Sequence, residues 1–311
     1  MNKSDLLEKG RSLLGGRLSN VIRNSVVDLN SFFGLIPPAD LLHRPEGISA
    51  IVRVRNEEDW IEPSLLSIKD LVNEYVVVDG STDRTPEIVD RLAKERGLEL
   101  LHVMDFREDM VAISNEALAL AKYRWVLRWD GDFVAKETMA KRIRETVGSC
   151  DRKKYFAVYW PHVCLDGDLW HQDPIDPLQF ENWLVTSTPG SEFVRRRGSF
   201  EYLQVPSKYS KRLQIAEPLS FHLRTVKPPL RLLYHKYWIE LFRNDLLDRV
   251  SLDTYASERI RQEYGEVTAA EAAKLFSVAM FSRLVAYDRE RYGDYPRLLK
   301  DYAKSKLGIE L

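Results

Sequence analysis

Hydrophobic runs and helical patterns alternate through the first half of the chain. Each of four short apolar or β-branched runs is followed by a polar turn and then by apolar residues at helical spacing. The four runs are ISAIVRV (48–54), EYVVVDG (74–80), LELLHVM (98–104) and RWVLRWDGD (124–132). This alternation predicts a parallel, doubly wound α/β sheet, which binds ligands beyond the carboxyl ends of its strands. Asp79 and Asp130 both stand at such ends.

The segments between these runs predict helices. TPEIVDRLAKERG (85–97) has Thr85 as its expected N-cap, Pro86 at the first helical position and Gly97 just past its end. An apolar stripe at helical spacing also follows the first strand, and residues 110–123 form a further helical pattern.

The pattern changes on both sides of this alternation. Residues 1–46 show an amphipathic helical pattern, which Gly15-Gly16 interrupts and later prolines end. Residues 151–222 have the composition of short strands, which predicts antiparallel additions to the sheet, and the chain then turns helical. The predicted division is a helical N-terminal extension (1–46), an α/β domain (47–225) and a helical C-terminal region (226–311).

Composition narrows the classes of function. The 311 residues include 46 basic and 47 acidic side chains, so no excess of positive charge favours nucleic acid as a partner. The two cysteines, Cys150 and Cys164, form no C-x-x-C pair, which argues against a thiolate zinc site. The charged N-terminus lacks the apolar core of a signal peptide, and no apolar run approaches the ~18 residues of a transmembrane helix. We therefore expect a cytoplasmic protein.

A basic helical segment at 224–243 bears on membrane contact. It mixes Arg and Lys with Leu, Tyr and Trp, a composition that can lie on an anionic membrane surface. Most such helices pack on their own domain, and we favour that interpretation here. Peripheral contact with the inner face of a membrane stays open as the alternative.

Two acidic residues follow the second strand, in VVVDGSTDRT (76–85). Asp79 ends the strand, and Asp83 follows in a small polar turn. A carboxylate at a strand end can accept hydrogen bonds from ribose hydroxyls or base N–H groups, and Gly80 permits close backbone approach. The same residues also suit a plain turn in which Asp and Ser cap the backbone locally. Both interpretations stay open from these residues alone.

A D-G-D triplet at 130–132 places two carboxylates two positions apart at the end of the fourth strand. Such a pair suits a hard divalent cation that also holds a diphosphate. The chain contains a second D-G-D triplet at 166–168, flanked by strand-like residues on both sides, which predicts a β-hairpin turn. Only the first triplet lies between a strand and a predicted helix, so we expect the ligand site there.

Three blocks of the sequence together resemble family 2 glycosyltransferases of the GT-A fold. The blocks are IVRVRNEEDWIEPSLLSI, VVVDGSTDRTPEIV and SNEALALAKYRWVLRWDGD, in the family's order and approximate spacing. The resemblance covers roughly residues 48–140 and fades afterwards. It implies that residues 47–225 are a GT-A domain. Such a domain moves a sugar from a nucleotide-diphosphate donor to a hydroxyl of a saccharide or lipid-linked saccharide, as in surface polysaccharide biosynthesis.

The resemblance also implies roles for individual residues. Asp130 and Asp132 match the family's D-x-D motif, whose last Asp is usually the closer ligand of Mn²⁺ or Mg²⁺. His222 is either a further metal or diphosphate contact or a hydrogen-bonded structural residue. The residues expected near the donor nucleotide are Val54, Arg55, Asn56, Glu57, Asp79, Asp83, Arg107, Asn115 and Asp130.

The resemblance specifies fewer residues on the acceptor side of the site than on the donor side. Family 2 members are mostly inverting, and such a displacement needs a carboxylate that takes the proton of the acceptor hydroxyl. We favour Glu201, in RRGSFEYL, as this base. The alternatives are Glu192, Asp168 and Glu181.

Two other classes of protein remain as alternatives. A sugar-nucleotide nucleotidyltransferase would share the sheet and the acidic metal site, but it normally has a Gly-rich loop after the first strand, where this chain has RNEEDW. A non-catalytic nucleotide-binding protein could retain the same fold. The sequence leaves the donor base and sugar, the acceptor and the oligomeric state open.

Overall fold

A computed structural model describes residues 3–107, 109–196, 199–244, 246–247 and 249–311. The helices are α1 (Lys3–Phe32), α2 (Ile61–Ser67), α3 (Thr85–Arg96), α4 (Met110–Leu120), α5 (Thr138–Gly148), α6 (Pro229–Arg243), α7 (Leu252–Tyr264), α8 (Ala269–Phe281), α9 (Arg289–Tyr292) and α10 (Arg297–Tyr302). Short 3₁₀ and π turns cover Ala39–Leu42 and Ala303–Leu307.

The strands of the described residues form one large sheet and two small ones. They are β1 (Ile48–Val54), β2 (Glu74–Asp79), β3 (Leu100–Met104), β4 (Trp125–Asp130), β5 (Phe133–Ala135), β6 (Tyr155–Cys164), β7 (His171–Gln172), β8 (Leu178–Thr186), β9 (Glu192–Arg196), β10 (Ser199–Gln204), β11 (Ser210–Gln214), β12 (Ser220–His222) and β13 (Val285–Ala286).

The large sheet has the order β3-β2-β1-β4-β8-β6-β12-β5, with β11 also paired to β6. β1 to β4 pair in parallel, whereas β8 runs antiparallel between β4 and β6, and β5 runs antiparallel to β12. The mostly parallel α/β sheet with antiparallel additions is therefore confirmed. β9 and β10 pair with each other in a separate antiparallel hairpin, and both strands pack against α4.

Burial on both faces explains the uninterrupted apolar strands. In β1, Val52 and Val54 face a core cluster that includes Ile61 of α2, whereas Ile51 faces the opposite cluster with Ile113 of α4. Every residue of β1 is consequently buried. A strand covered on both faces loses the alternation of polar and apolar residues and becomes a continuous hydrophobic run.

Four local expectations need correction. The D-G-D turn at 130–132 does not lead directly into a helix, because the short strand β5 follows it before α5 begins at Thr138. Gly15-Gly16 does not interrupt α1, which continues through both residues. The N-cap of α3 is Arg84 rather than Thr85, whose hydroxyl instead accepts a hydrogen bond from the Glu57 N–H at 2.8 Å. The hairpin predicted around 166–168 is wrong, because β7 pairs with β13 from the C-terminal region and not with β6.

The basic segment at 224–243 packs on its own region. Its helix α6 buries Leu232, Leu233, Tyr237 and Leu241, two of them in a cluster with residues of α7 and α8. This agrees with the packing interpretation of the sequence. Within the described residues, no helix is long and apolar enough to span a bilayer.

Candidate active site

The loops after β1 and β2 interlock at the carboxyl edge of the sheet. Asn56 adopts a left-handed conformation (φ 57°), which Asn tolerates better than most residues. Its side-chain Oδ1 accepts from the Thr82 N–H at 2.8 Å, and its own N–H donates to Ser81 Oγ at 2.7 Å. Asp83 accepts from the backbone N–H groups of Glu58 and Thr85. The loops predicted to hold the nucleotide therefore form one rigid unit.

Asp79 lies fully buried beneath this unit. One of its carboxylate oxygens accepts from the Ser81 N–H at 2.7 Å, and the other lies 3.2 Å from His102 Nε2. His102 Nδ1 is 2.8 Å from Asp90. The hydrogen bond to Asp79 raises the pKa of His102 above its ordinary value, burial opposes this, and Asp90 adds to it.

His102→Gln is expected to reduce stability more at pH 6 than at pH 9. A group whose pKa is raised by folding contributes stability that is fully present below its unfolded pKa. That contribution disappears as the pH rises through the higher folded pKa, so wild type and variant should converge in alkaline solution. Urea unfolding at the two pH values measures the difference. An equal loss at both would show that the ion pair with Asp79 contributes nothing.

A network of charged side chains lies where β1, β4 and β8 meet the β9–β10 hairpin. Arg53 pairs with Asp130 at 2.6 Å and with Glu201, and Arg128 contacts Glu201 at 3.2 Å and Asp130 at 3.8 Å. Arg128 also pairs with Glu181. Both arginines and Glu201 are more than 90% buried. Asp130 and the candidate base Glu201 are thus joined through the same two guanidinium groups.

Asp132 turns away from this network toward His222 and Lys227. Its carboxylate is 3.5 Å from His222 Nε2 and 3.5 Å from Lys227 Nζ, and Lys227 also pairs with Glu57. Among the described residues, the two carboxylates of the D-G-D turn have no common side-chain partner. In this arrangement Asp130 pairs with Arg53, whereas Asp132 pairs with His222 and Lys227, and a cation shared by the two carboxylates stays a prediction.

The position of His222 follows from strand pairing. β12 lies antiparallel to β5, with His222 opposite Phe133, immediately after the D-G-D turn. The Leu223 N–H also donates to the Asp132 carbonyl at 2.9 Å. The backbone thereby holds the imidazole beside the carboxylate although the two residues are far apart in sequence.

Charge governs the ionisation of this cluster. Burial alone would lower the pKa of His222, but the Asp132 carboxylate outweighs it and raises this pKa to about 10. Burial would raise the pKa of Asp132, but His222 and Lys227 hold it below its usual range. Burial raises the pKa of Glu57 to about 7 despite its contact with Lys227. Asp132 is thus held ionised by His222 and Lys227, whereas the neighbouring Glu57 is protonated more easily.

A chain of hydrogen bonds orients the imidazole of His222. The Glu181 carboxylate can only accept, so the group of Gln179 that lies 3.1 Å from it must be the donor Nε2. The amide oxygen Oε1 of Gln179 then faces His222 Nδ1 at 2.8 Å. Nδ1 therefore keeps its proton when the ring is neutral. The lone pair then lies on Nε2, on the side of Asp132, which is the tautomer that a metal ligand requires.

These residues fit a divalent cation as a two-ligand site. No group of three or more His, Cys, Asp or Glu side chains suited to a metal occurs among the described residues. Asp132 and His222 nevertheless converge, and Mg²⁺ or Mn²⁺ commonly takes few protein ligands and completes its shell with phosphate oxygens and water. Glu57 Oε2 is buried without a hydrogen-bond partner in the described structure. A bound ligand with a hydroxyl or N–H group would satisfy it.

Gly131 allows the D-G-D turn to pack tightly. A Cβ placed there would lie 3.1 Å from Val54 Cγ2 and 3.3 Å from Glu57 Cγ. Val54 and Glu57 both belong to the predicted donor loop. The turn that carries both aspartates and the loop after β1 are therefore in direct contact.

Gly131→Ala is expected to destabilise the protein by about 1–3 kcal/mol, the usual range for overpacking a filled site. It should also weaken nucleotide binding, because Glu57 must shift. Gly148→Ala is the matched control, since a Cβ at this last residue of α5 meets nothing within 4 Å. Thermal melting and nucleotide titration of both variants make the comparison. Equal behaviour of the two would contradict the tight contact at Gly131.

Other predicted donor residues have structural partners. Arg107 pairs with Asp105 and Glu116, and its side chain is half exposed. The Asn115 amide binds the backbone N–H and carbonyl of Phe193 at 2.8 and 2.9 Å, and so joins α4 to β9. Arg55 is exposed beside the interlocked loops. A direct role of these residues toward the donor stays a prediction.

The alternative bases lie in different surroundings. Glu192 is exposed at the start of β9. Asp168 binds His171 Nδ1 at 2.7 Å near the C-terminal region, and Glu181 belongs to the arginine network. In the second D-G-D triplet, Asp166 forms a two-pronged ion pair with Arg224 at 2.9 and 3.0 Å. That triplet is therefore a structural anchor.

Sequence reasoning missed several residues of the site. Arg53 and Arg128 were visible as single charges inside otherwise apolar strands, and a buried charge at such a position needs a partner. Gln179 and Lys227 carried no such signal. Their place near Asp132 depends on pairing between distant segments.

Comparison with known proteins agrees with this geometry. Residues 49–201, just under half of the chain, match the family model Glycosyl transferase family 2. These residues form a family 2 glycosyltransferase domain. The matched segment contains the D-G-D turn, both interlocked loops and Glu201, whereas His222 and Lys227 lie beyond it.

The relatives are similar over limited lengths. The TPR repeat-containing protein Synpcc7942_0270 of Synechococcus elongatus is 42% identical over 86 residues, which are 27% of this chain and 20% of that protein. The structure of S. aureus TarS is 17% identical over 84% of this chain and 46% of that chain, with a TM-score of 0.44. The inositol-1-phosphate CTP transferase from T. maritima is 10% identical over 67% of this chain and 99% of that chain, with a TM-score of 0.39. This chain thus spans less than half the length of the matched TarS chain and a fifth of the cyanobacterial relative.

Proposed function

We propose that this protein transfers a sugar from a nucleotide-diphosphate donor to a hydroxyl of a saccharide or glycoconjugate acceptor, with inversion and with the help of a divalent cation. The observation that carries the proposal is the convergence of Asp132 and His222 at the D-G-D turn of a family 2 domain. Their facing atoms are 3.5 Å apart, and when a bound cation displaces the proton of Nε2, Gln179 keeps the remaining proton on Nδ1 and the lone pair on the side of Asp132. Mn²⁺ or Mg²⁺ bound there would neutralise charge on the departing diphosphate.

The loops after β1 and β2 would hold the nucleotide. The unpartnered Glu57 Oε2 would accept a hydrogen bond from the ribose or base, and the rigid backbone around Asn56 and Asp83 would fix the pocket. The buried ammonium of Lys227, now paired with Glu57 and Asp132, would meet a diphosphate oxygen. Asp130 would bind the ribose or sugar from its place beside Arg53.

On the acceptor side, Glu201 would take the proton of the attacking hydroxyl. The acceptor oxygen would form the new bond to the anomeric carbon as the bond from that carbon to the diphosphate oxygen breaks. The electron pair of the broken bond leaves with the nucleoside diphosphate. A single in-line displacement of this kind inverts the anomeric centre. Residues 47–225 would carry out this reaction, with the helical regions on either side as supports.

Titration with nucleoside diphosphates tests the proposal. UDP, GDP and TDP are added to the full chain with and without Mn²⁺ while thermal melting is followed. Metal-dependent stabilisation by one of the three is expected, because a ligand that binds only the native state raises the melting temperature. Release or transfer of sugar from the matching nucleotide sugar then separates an enzyme from a binding protein. The absence of stabilisation by any nucleotide would overturn the proposal.

A further inference from the structure

From residue 18 onward, the N-terminal helix α1 turns several polar side chains toward the protein and large apolar side chains outward. Asn20 donates to the Tyr159 hydroxyl at 2.5 Å, and Asn24 exchanges two hydrogen bonds with the backbone of Arg212 at 3.0 and 2.7 Å. Arg23 donates to the Ser210 carbonyl at 3.2 Å. These contacts place the helix along β11 and β6 and engage the side chains of Asn20, Arg23 and Asn24.

Asp28 and Val27 also lie on the inner face of α1, the face that packs against β11 and β6. Asp28 pairs with Lys154 at 2.6 Å and Lys211 at 2.8 Å, and both lysines hold the pKa of Asp28 below its ordinary value. Val27 is 1% exposed and packs with Tyr155. The orientation of α1 about its axis is therefore determined by contacts of several kinds.

The outer face of α1 and the turn after it consist of large apolar side chains. Leu18, Val21, Ile22, Leu29 and Phe32 are between 58% and 84% exposed. The complete set, called here the outer stripe, is Leu18, Val21, Ile22, Val26, Leu29, Phe32, Phe33 and Leu35. Every exposed residue from 18 to 35 is uncharged. Soluble monomers rarely leave an apolar patch of this size uncovered.

We propose that the outer stripe is the contact by which two copies of this chain form a dimer. The eight side chains present on the order of 900 Å² of surface, close to the about 800 Å² that each partner buries in a standard interface. A charge-depleted apolar centre is the usual composition of such contacts. Two identical stripes related by a two-fold axis can face each other, because such an interface uses the same patch on both copies.

A lipid surface fits this face less well. Helices that lie on membranes carry Lys and Arg along their polar face, beside the apolar face, where they meet anionic head groups. Here the cation Arg23 is turned toward the protein, and the charged residue exposed soon after the stripe is the acid Asp40. Among the residues from 18 to 35, whose side chains the structure describes, no exposed cation faces outward toward anionic lipid.

Sedimentation of the full chain over a wide range of concentrations tests the dimer. The expected species has twice the 36.2 kDa mass of the chain. Ile22→Glu combined with Leu29→Glu should weaken the dimer by roughly 10²-fold or more, because each carboxylate would enter an apolar contact. The melting temperature of the resulting monomer, measured at high dilution, should match that of wild type at the same dilution. Ile175→Glu is the control, since this apolar side chain is 85% exposed away from α1.

Several outcomes would overturn the proposal. One is a wild-type chain that remains monomeric at every concentration, and another is a dimer whose mass is unchanged in the double variant. A third is a monomer that floats with vesicles of phosphatidylcholine and phosphatidylglycerol and is released by the two glutamates, which would assign the stripe to lipid. Dissociation by Ile175→Glu as well would show a general effect of added charge. None of these readouts depends on glycosyl transfer.

Discussion

Asp132→Ala is expected to abolish the Mn²⁺-dependent stabilisation by nucleoside diphosphate and to lower sugar transfer by roughly 10²–10³-fold, the amount that one electrostatic stabiliser supplies. The change removes one of the two proposed metal ligands and leaves His222 and Lys227 without their shared carboxylate. Chelation of the metal from the wild-type protein should give the same loss of stabilisation. Melting curves with and without Mn²⁺ and diphosphate measure the binding part, and initial rates measure the transfer part.

The second D-G-D triplet supplies the matched control for this variant. Asp166→Ala removes a buried carboxylate that accepts from Arg224 and Thr225, and it should lower the melting temperature because these donors lose their acceptor. Its metal-dependent shift should nevertheless persist while the variant is folded, because the described side-chain partners of Asp166 are Arg224 and Thr225, between His222 and Lys227 in the sequence, and not the cluster residues themselves. Loss of the shift in both variants would mean that stability and not metal binding governs the result.

Gln179→Met provides a finer test of the same cluster. The thioether removes the acceptor that faces His222 Nδ1, so both tautomers of the neutral ring become accessible. Removal of a partner behind a metal ligand typically weakens metal affinity by roughly 10–100-fold. Titration of Mn²⁺ followed by its paramagnetic resonance signal reports this directly, without turnover. Unchanged affinity would leave Gln179 with a packing role only.

Local sequence patterns were sufficient for the parallel strands β1 to β4, but they missed the short strand β5 and the contacts between distant segments. β1 and β4 could be predicted because burial on both faces demands an unbroken apolar run. The contact between Asp132 and His222 depends on the pairing of β12 with β5. No local pattern encodes that pairing. The failed hairpin at 166–168 has the same cause, since β13, more than a hundred residues later, takes β7 as its partner.

The interior charges show a second limit of sequence reasoning. Arg53 alone predicts that a partner must exist, but not that Asp130 and Glu201 are both partners. Likewise, Gly15-Gly16 lowers helix propensity locally, whereas α1 continues through it, and contacts such as Asn24 with Arg212 hold the later part of that helix against the domain. Tertiary contacts outweigh intrinsic preference in such cases.

Glu201→Gln is expected to lower kcat by roughly 10²–10⁴-fold, the usual contribution of a general base. The KM for the donor should change little, because the described ion pairs of Glu201 are with Arg53 and Arg128 and not with Asp132 or Lys227. The amide keeps the shape of the carboxylate and an oxygen that can accept from Arg53 and Arg128. Some loss of stability is still expected, since the two buried guanidinium groups lose a negative charge.

Variants of the three alternative bases are compared with Glu201→Gln. Glu192→Gln, Asp168→Asn and Glu181→Gln are measured in parallel for kcat, donor KM and melting temperature, and the base is the residue whose loss lowers kcat alone. A fall in kcat for Glu201→Gln that comes with an equal loss of donor binding would instead assign Glu201 to positioning Arg53 and Asp130. That result would move the search for the base to Glu192, which is exposed at the other end of the same hairpin. The burial of Glu201 among arginines makes this separation of binding from turnover the decisive measurement on the acceptor side.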